Sequence, residues 1–249
     1  MQKPRKKIVY VQSPPEGLFY IPNFISVDEE RELLQHVQAQ PFEPYDHHGY
    51  KANREVVYYG LPGGYDADVN GALPGEERQP MPEWLVPLRA KFAHLAGLSP
   101  DEIAMVLVAQ YKTGAGIGWH RDRPQFGPTV FGVSLQSDAE MRFRRYVGDI
   151  EEMYKINLQH RSGYMISGVA RSVWQHGMNP VKVLRYSITM RTVKDIRKNA
   201  PVDPRHVPAN IQARLKEMGV YHLGGVVAPP MVAESTADED EPKQLKFAL

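Results

Sequence analysis

Leu184–Arg191 reads LRYSITMR. Its alternation is strict. Leu184, Tyr186, Ile188 and Met190 fall on one face of an extended segment and Arg185, Ser187, Thr189 and Arg191 on the other, because successive strand side chains point to opposite sides. The apolar face needs a covering layer. The polar face has two readings. It meets solvent, as in an ordinary half-buried strand, or it points inward, where a buried arginine is costly unless an anion neutralises it. A dicarboxylate gripped by the guanidinium fork would be such an anion.

Working outward, Val106–Tyr111, Val130–Leu135, Met141–Tyr146, Lys155–Leu158 and Tyr164–Ser167 are short β-branched or alternating stretches between turn residues, and Lys182–Met190 completes the series. Glu55–Gly60 reads as a further strand. Two helices precede the main series. Ser26 and Glu29 form a capping-box pattern ahead of Leu33, Leu34 and Val37, predicting a helix over about Asp28–Gln38, with Pro41 and Pro44 beyond its end. Trp84, Leu88, Phe92 and Leu95 recur near a 3.6-residue period, and Gly97 suits the C-terminal cap. Between them Leu61–Pro82 is rich in Gly and Pro, a loop long enough to suggest a lid. Two helices followed by six or more close-set strands predict a mainly β (α+β) fold, a jelly roll with N-terminal helices packed on it.

The 249 residues suit one domain with tails. We read an arm at 1–17, a folded domain at 18–195 with a lid at about 55–82, an extension at 196–232 and a tail at 233–249. The tail is acidic (AESTADEDEP at 233–242) and lacks aromatics there, a composition that favours disorder. There are no cysteines, which excludes disulfides, zinc–thiolate sites, iron–sulfur clusters and thiol catalysis. Any metal must be held by nitrogen and oxygen, and nine histidines make that feasible. A net charge of +1 implies no global grip on polyanions, although MRFRR at 141–145 is locally basic. No apolar run approaches the roughly 18 residues of a membrane span. The basic N-terminus MQKPRKKIVYV has no apolar stretch behind it, so we expect a cytoplasmic protein without a secretory signal, the nucleus being open if the source is eukaryotic. A monomer is expected.

His120-x-Asp122 is the chain's one His-x-Asp pair. In an extended segment residues i and i+2 share a face, so an imidazole and a carboxylate can reach one ion. A third ligand must come from elsewhere. Two histidines and one carboxylate on one octahedral face leave three positions open, as in non-haem Fe(II) oxygenases. His176, in WQHG at 174–177, follows one strand and precedes the arginine strand.

Order and spacing then matter: Gln110-Tyr111, Trp119-His120-Arg121-Asp122, Ser172-Val173-Trp174-Gln175-His176-Gly177, and Arg185-Tyr186 through Arg191. In this order they resemble the AlkB family, over about residues 55–193 and more loosely toward the N-terminus. The resemblance implies a double-stranded β-helix with a nucleotide-recognition lid, placed here around Tyr58–Tyr65. It implies His120, Asp122 and His176 as ligands of Fe(II). Arg185 would pair with the distal carboxylate of 2-oxoglutarate, Arg191 would support it near the other carboxylate, and Tyr111 would hydrogen-bond it. Two positions depart from the best-known members: Ala109 stands where they carry an Asn, and Pro124 where they often carry an acid. The run HRDRPQFG at 120–127 is closer to a bacterial subgroup.

The implied activity is oxidative demethylation of N-alkylated bases in DNA or RNA, using O2 and releasing formaldehyde, succinate and CO2. A base must come single-stranded or flipped from a duplex. Tyr59, Tyr65 and His120 are candidates to stack on it, with Trp119 at the cavity wall and Arg121, Arg123, Arg142, Arg144, Arg145 and Arg161 as candidates for a phosphate track. Three alternatives remain at this point: the same chemistry on a protein side chain or small molecule, an inactive jelly-roll binding module, and a zinc hydrolase using the same three ligands.

Overall fold

The computed structural model describes residues 7–47, 50–60, 80–122 and 126–193. In chain order its strands are β1 (Lys7–Tyr10), β2 (Leu18–Ile21), β3 (Glu43–His47), β4 (Tyr50–Gly60), β5 (Ile103–Tyr111), β6 (Ile117–His120), β7 (Phe126–Leu135), β8 (Ala139–Val147), β9 (Ile150–Leu158), β10 (Gly163–Ile166), β11 (Gln175–Met178) and β12 (Arg185–Val193). The helices are α1 (Val27–Gln38), α2 (Val86–Ala96), entered through a 3-10 turn at Glu83–Leu85, and the short α3 (Gly168–Ser172). None of the described helices is long and apolar enough to cross a membrane.

Two sheets form the body. The larger runs β2-β10-β7-β12-β5-β4-β3 and the smaller β1-β9-β8-β11-β6. The arginine strand β12 is central in the larger sheet, antiparallel to both β5 and β7. Its alternation sorts the interior in two. Tyr186, Ile188 and Met190 join Val106, Val108, Phe131 and Val133 against Leu33 and Val37 of α1 and Phe92 of α2. This helix-covered layer is the main apolar core, and burying it supplies the main stabilising force. Arg185, Ser187, Thr189 and Arg191 point the other way, into a cavity between the sheets. Of the two readings of the polar face, the inward one is realised.

Local signals explain the helices. Glu29 N donates to Ser26 Oγ at 3.1 Å and Ser26 N to Glu29 Oε2 at 2.7 Å, completing the capping box of α1. Gly97 ends α2 at φ 63°, a left-handed conformation that favours glycine. The strand reading differs from the structure mainly by omission. β6 and β11 have only four residues each and little β-branching, so local propensity did not mark them. β11 pairs with β8 on one side and β6 on the other, which holds both. The last strand starts at Arg185 rather than Lys182, and the 55–60 strand begins earlier, at Tyr50. Most of the expected lid, including Tyr65, lies outside the described residues, as do Arg123, Pro124 and everything beyond Val193.

Candidate active site

The site lies between two apolar clusters that join the sheets. One contains Met141, Phe143, Ile156, Ile166 and Trp174; the other contains Val56, Leu107, Ala109, Tyr111 and Met178. The cavity between them is lined by polar residues from β3, β4, β5, β6, β10, β11 and β12, with apolar residues of β7 and β8.

Antiparallel pairing of β6 with β11 sets His120 directly opposite His176. Their ring centroids are 4.3 Å apart, with Phe143 5.9 Å behind His176. Gly177 lets the two strands approach: a Cβ there would lie 3.0 Å from the Ile117 carbonyl oxygen. His120 Nδ1 is 3.0 Å from the Gly118 carbonyl oxygen. A carbonyl only accepts, so Nδ1 carries the proton and Nε2 keeps its lone pair. Asp122 follows β6, its side chain only 4% exposed. Oδ1 accepts from Arg191 Nε at 2.8 Å. Oδ2 is buried without a hydrogen-bond partner, as is His176 Nδ1, and His176 Nε2 is 3.6 Å from Oδ2.

Charge states follow from position. Burial alone would raise the Asp122 carboxyl, but Arg191, with His176 and His120 nearby, holds it far below the usual carboxylate range. Burial, reinforced by His120, pushes His176 down to about 3 despite the neighbouring Asp122. Burial lowers His120 too, again against the pull of Asp122. The 3.6 Å His176–Asp122 contact is therefore not an ion pair, because the imidazole is neutral. One carboxylate and two neutral imidazoles are the protonation states that a divalent metal requires.

The donor set fits Fe(II). An unpartnered carboxylate oxygen and an imidazole nitrogen lie 3.6 Å apart. Two donors about 2.1 Å from one metal and at right angles to it are about 3 Å apart. Among the described residues no group of three His, Asp or Glu side chains stands close enough, as placed, to hold a metal ion. Bringing all three donors onto one ion takes side-chain rotation on a backbone register that already places the imidazoles together.

Arg185 lies deeper, 2% exposed. Its Nη2 donates to Ser134 Oγ at 2.7 Å and its Cζ stands 5.2 Å over the Tyr111 ring. Its Nε is buried without a hydrogen-bond partner. No carboxylate among the described residues pairs with it, so a buried guanidinium with spare donors marks an anion subsite. At the rim, Arg54 lies 4.3 Å over the Tyr45 ring, and Arg121 donates from Nε and Nη2 to the Val173 carbonyl at 3.2 and 3.1 Å.

The expected substrate contacts need correction. Tyr59 is 7% exposed and packs in the helix-side core, edge-on to Trp84 and hydrogen-bonded to Gln40. One residue earlier on the strand, Tyr58 takes the cavity-facing position. Trp119 turns away from His120 to the outer face of the smaller sheet, where Arg142 and Arg144 lie 4.8 and 4.6 Å over its ring. Arg144 donates to Gln175 at 2.9 Å and to Glu151 at 3.3 Å, so it braces that face and does not line the cavity. Arg145 is likewise paired with Glu152 at 2.6 Å. Arg121 does reach the cavity wall. Tyr45, Arg54, Tyr58 and Tyr164, all on the wall, were missed. For Arg54 and Tyr58 the strand parity of EVVYYG would have sufficed, had the strand been extended upstream.

The sequence profile described as "2OG-Fe(II) oxygenase superfamily" matches residues 17–195. The chain belongs to this superfamily. It is a 2-oxoglutarate-dependent dioxygenase, whose reaction uses Fe(II), 2-oxoglutarate and O2. This oxygenase is 28% identical over 230 residues to a zebrafish protein named "Probable RNA/DNA demethylase ALKBH6", covering 84% of this chain and 93% of that protein. It is 28% identical over 180 residues to the Xenopus tropicalis tRNA (carboxymethyluridine(34)-5-O)-methyltransferase alkbh8, with 71% of this chain aligned to 27% of that longer protein. These relatives bear out the AlkB resemblance and do not bear on a bacterial subgroup. The structure of OsALKBH1 superposes with a TM-score of 0.53 at 18% identity, over 72% of this chain and 97% of that one. A Trichoplax adhaerens prolyl hydroxylase superposes with a TM-score of 0.50 at 16% identity, over 71% and 83%. Both likenesses speak to the jelly-roll fold alone.

Proposed function

We propose that this oxygenase oxidatively demethylates N-alkylated bases in DNA or RNA. The observation that carries the reading is the charge of the cavity wall. Arg54, Arg121, Arg185 and Arg191 line it against one carboxylate, Asp122. Arg191 is engaged with Asp122, and Arg185 is the anchor for the distal carboxylate of 2-oxoglutarate. Arg54 and Arg121 leave positive charge at the mouth, beside the aromatic rings of Tyr45 and Tyr58. Aromatic faces and guanidinium groups together suit a flat base carrying a phosphodiester. A prolyl side chain or a neutral metabolite makes no use of that charge. The fish relative's name agrees with this substrate class.

In the mechanism, His120, Asp122 and His176 would hold Fe(II), which with 2-oxoglutarate and O2 supplies the oxidising power for removing the methyl group as formaldehyde. Gly118, through its carbonyl, fixes the His120 tautomer so that Nε2 keeps the lone pair that would bind the metal. Arg191 aims the Asp122 carboxylate. Arg185, steadied by Ser134 and Tyr111, orients the cosubstrate. Phe143, Met141 and Ile166 wall the site from water. Tyr58 and Tyr45 stack on the base, and Arg54 and Arg121 take its phosphates.

The test is formaldehyde release from N-methylated single-stranded DNA and RNA oligonucleotides against unmethylated ones. Methyl-dependent release supports the proposal. Succinate formed at the same slow rate with and without the methyl group, and no formaldehyde, would leave an oxygenase with a different substrate. The zinc-hydrolase alternative gives no account of a buried Arg185.

A further inference from the structure

The cavity wall is lopsided in charge, and that limits the charge a substrate base can bring. Among the described residues four guanidinium groups line it against one carboxylate, Asp122. Asp122 is committed: Oδ1 accepts from Arg191, and Oδ2 lies 3.6 Å from His176 Nε2, where the metal would bind. Arg185 is answered by the cosubstrate. Arg54 and Arg121 have no carboxylate left to them on the described wall. They come from opposite sheets, Arg54 from β4 of the larger and Arg121 from just beyond β6 of the smaller. Both are held in place. Arg54 Cζ lies 4.3 Å over the Tyr45 ring, and its Nε is shut off from solvent without a hydrogen-bond partner. Arg121 spends Nε and Nη2 on the Val173 carbonyl. Strand register sets Arg54 level with Tyr111, and Tyr111 level with Arg185. Cationic residues therefore flank Tyr111 on both sides.

We propose that this cavity selects N-methylated bases that carry no charge, and that Arg54, stacked on Tyr45, turns cationic ones away. The inference rests on the nucleic-acid demethylase reading. Methylation of a ring nitrogen leaves some bases neutral, as in N3-methylthymine. It makes others cations at neutral pH, as in N3-methylcytosine. A cationic base is held by an open aromatic face or by a carboxylate beside it. Here the Tyr45 face already carries a guanidinium, and the carboxylate of the described wall is engaged. A cation brought beside Arg54 in a water-poor cavity meets like charge, the kind of juxtaposition that excludes wrong partners. A neutral base stacks on the same aromatic and guanidinium surfaces without that repulsion. Phosphates on the strand outside the base still gain from both arginines.

The experiment compares two single-stranded DNA oligonucleotides that differ at one position, which holds N3-methylthymine in one and N3-methylcytosine in the other. Unmethylated strands serve as blanks. The backbone contribution is common to both, so the ratio reads the base. Fluorescence anisotropy gives Kd on full-length protein loaded with Mn(II) and 2-oxoglutarate without oxygen. Formaldehyde release gives kcat/KM on the Fe(II) enzyme. Both ratios are expected to favour the neutral lesion by about tenfold or more. Arg54→Gln is expected to weaken both strands and shrink the ratio, and Arg54→Glu to invert it. Thermal melts identify which variants are folded. Methyl-dependent turnover in which N3-methylcytosine equals or outdoes N3-methylthymine overturns the proposal and leaves the demethylase reading standing. An unchanged ratio in folded Arg54→Gln overturns the role of Arg54. No methyl-dependent formaldehyde from either strand removes the demethylase reading itself, and the proposal with it.

Discussion

Arg191 Nε donates to Asp122 Oδ1 across 2.8 Å, with both side chains nearly closed off from solvent. The resemblance assigned Arg191 to the cosubstrate's carboxylate. In the structure its first partner is the candidate metal ligand itself. A charged donor this close fixes the carboxylate's direction and keeps it ionised.

That relationship separates two roles for Arg191. If it positions Asp122, Arg191→Met weakens metal binding by about 10- to 100-fold, as removal of a ligand's supporting partner commonly does. The 2-oxoglutarate KM at saturating metal then changes less. Mn(II) titration followed by electron paramagnetic resonance measures the first quantity and succinate production the second. Intact metal affinity with a raised KM would return Arg191 to the cosubstrate.

Arg185 is expected to divide the two the other way. Arg185→Ala removes the buried guanidinium that leans on Ser134 and Tyr111, so the 2-oxoglutarate KM rises sharply while metal affinity survives. Parallel loss of both in a folded variant would count against its assignment as a carboxylate anchor.

The metal-free protein is expected to lose stability on mild acidification. His176 is depressed from 6.5 to about 3 in the fold. Between those values the unfolded chain binds a proton that the folded chain refuses, so stability rises with pH across that window and falls as pH drops through it. Asp122, also depressed, adds loss in the same direction, but only below its ordinary value of 3.8. Melting temperatures of metal-free protein from pH 7.5 down to 4.5 check this. His176→Phe should flatten the profile in that range, and an equally steep profile in the variant would contradict the burial argument.

Adjacent tyrosines on β4 are expected to behave differently. Tyr59 fills the helix-side core, so Tyr59→Ala costs about 3 kcal/mol of stability, as deletion of a buried aromatic side chain does. Tyr58 lines the cavity, so Tyr58→Ala leaves stability closer to the wild type and raises the substrate KM. Urea unfolding and steady-state kinetics on a methylated oligonucleotide distinguish them. Equal loss of stability in both variants would undo the parity assignment.

Much of the site was legible because its signals are local. Alternation in LRYSITMR placed Arg185 and Arg191 on one face, and HRD at 120–122 paired an imidazole with a carboxylate. The capping box at Ser26 and Glu29 located α1 to within a residue. What misled was also local in origin. Choosing Tyr59 over Tyr58 was an error of one residue in strand parity, which moves a side chain from one side of a sheet to the other. Trp119 beside His120 looked like cavity wall by nearness in sequence, but neighbours on a strand face opposite ways.

By itself the sequence determined the periods of its helices and strands, the absence of thiol chemistry, and the residue types able to hold a ferrous ion and a keto-acid. These follow from one-dimensional spacing and side-chain chemistry. The tertiary structure alone decided that His176 stands opposite His120, that Arg191 grips Asp122, and that Tyr164 lies over Gly132. Each joins positions 32 to 69 residues apart. Strand order and register bring them together, and those are set by burying the whole sheet at once and not by any short stretch of chain.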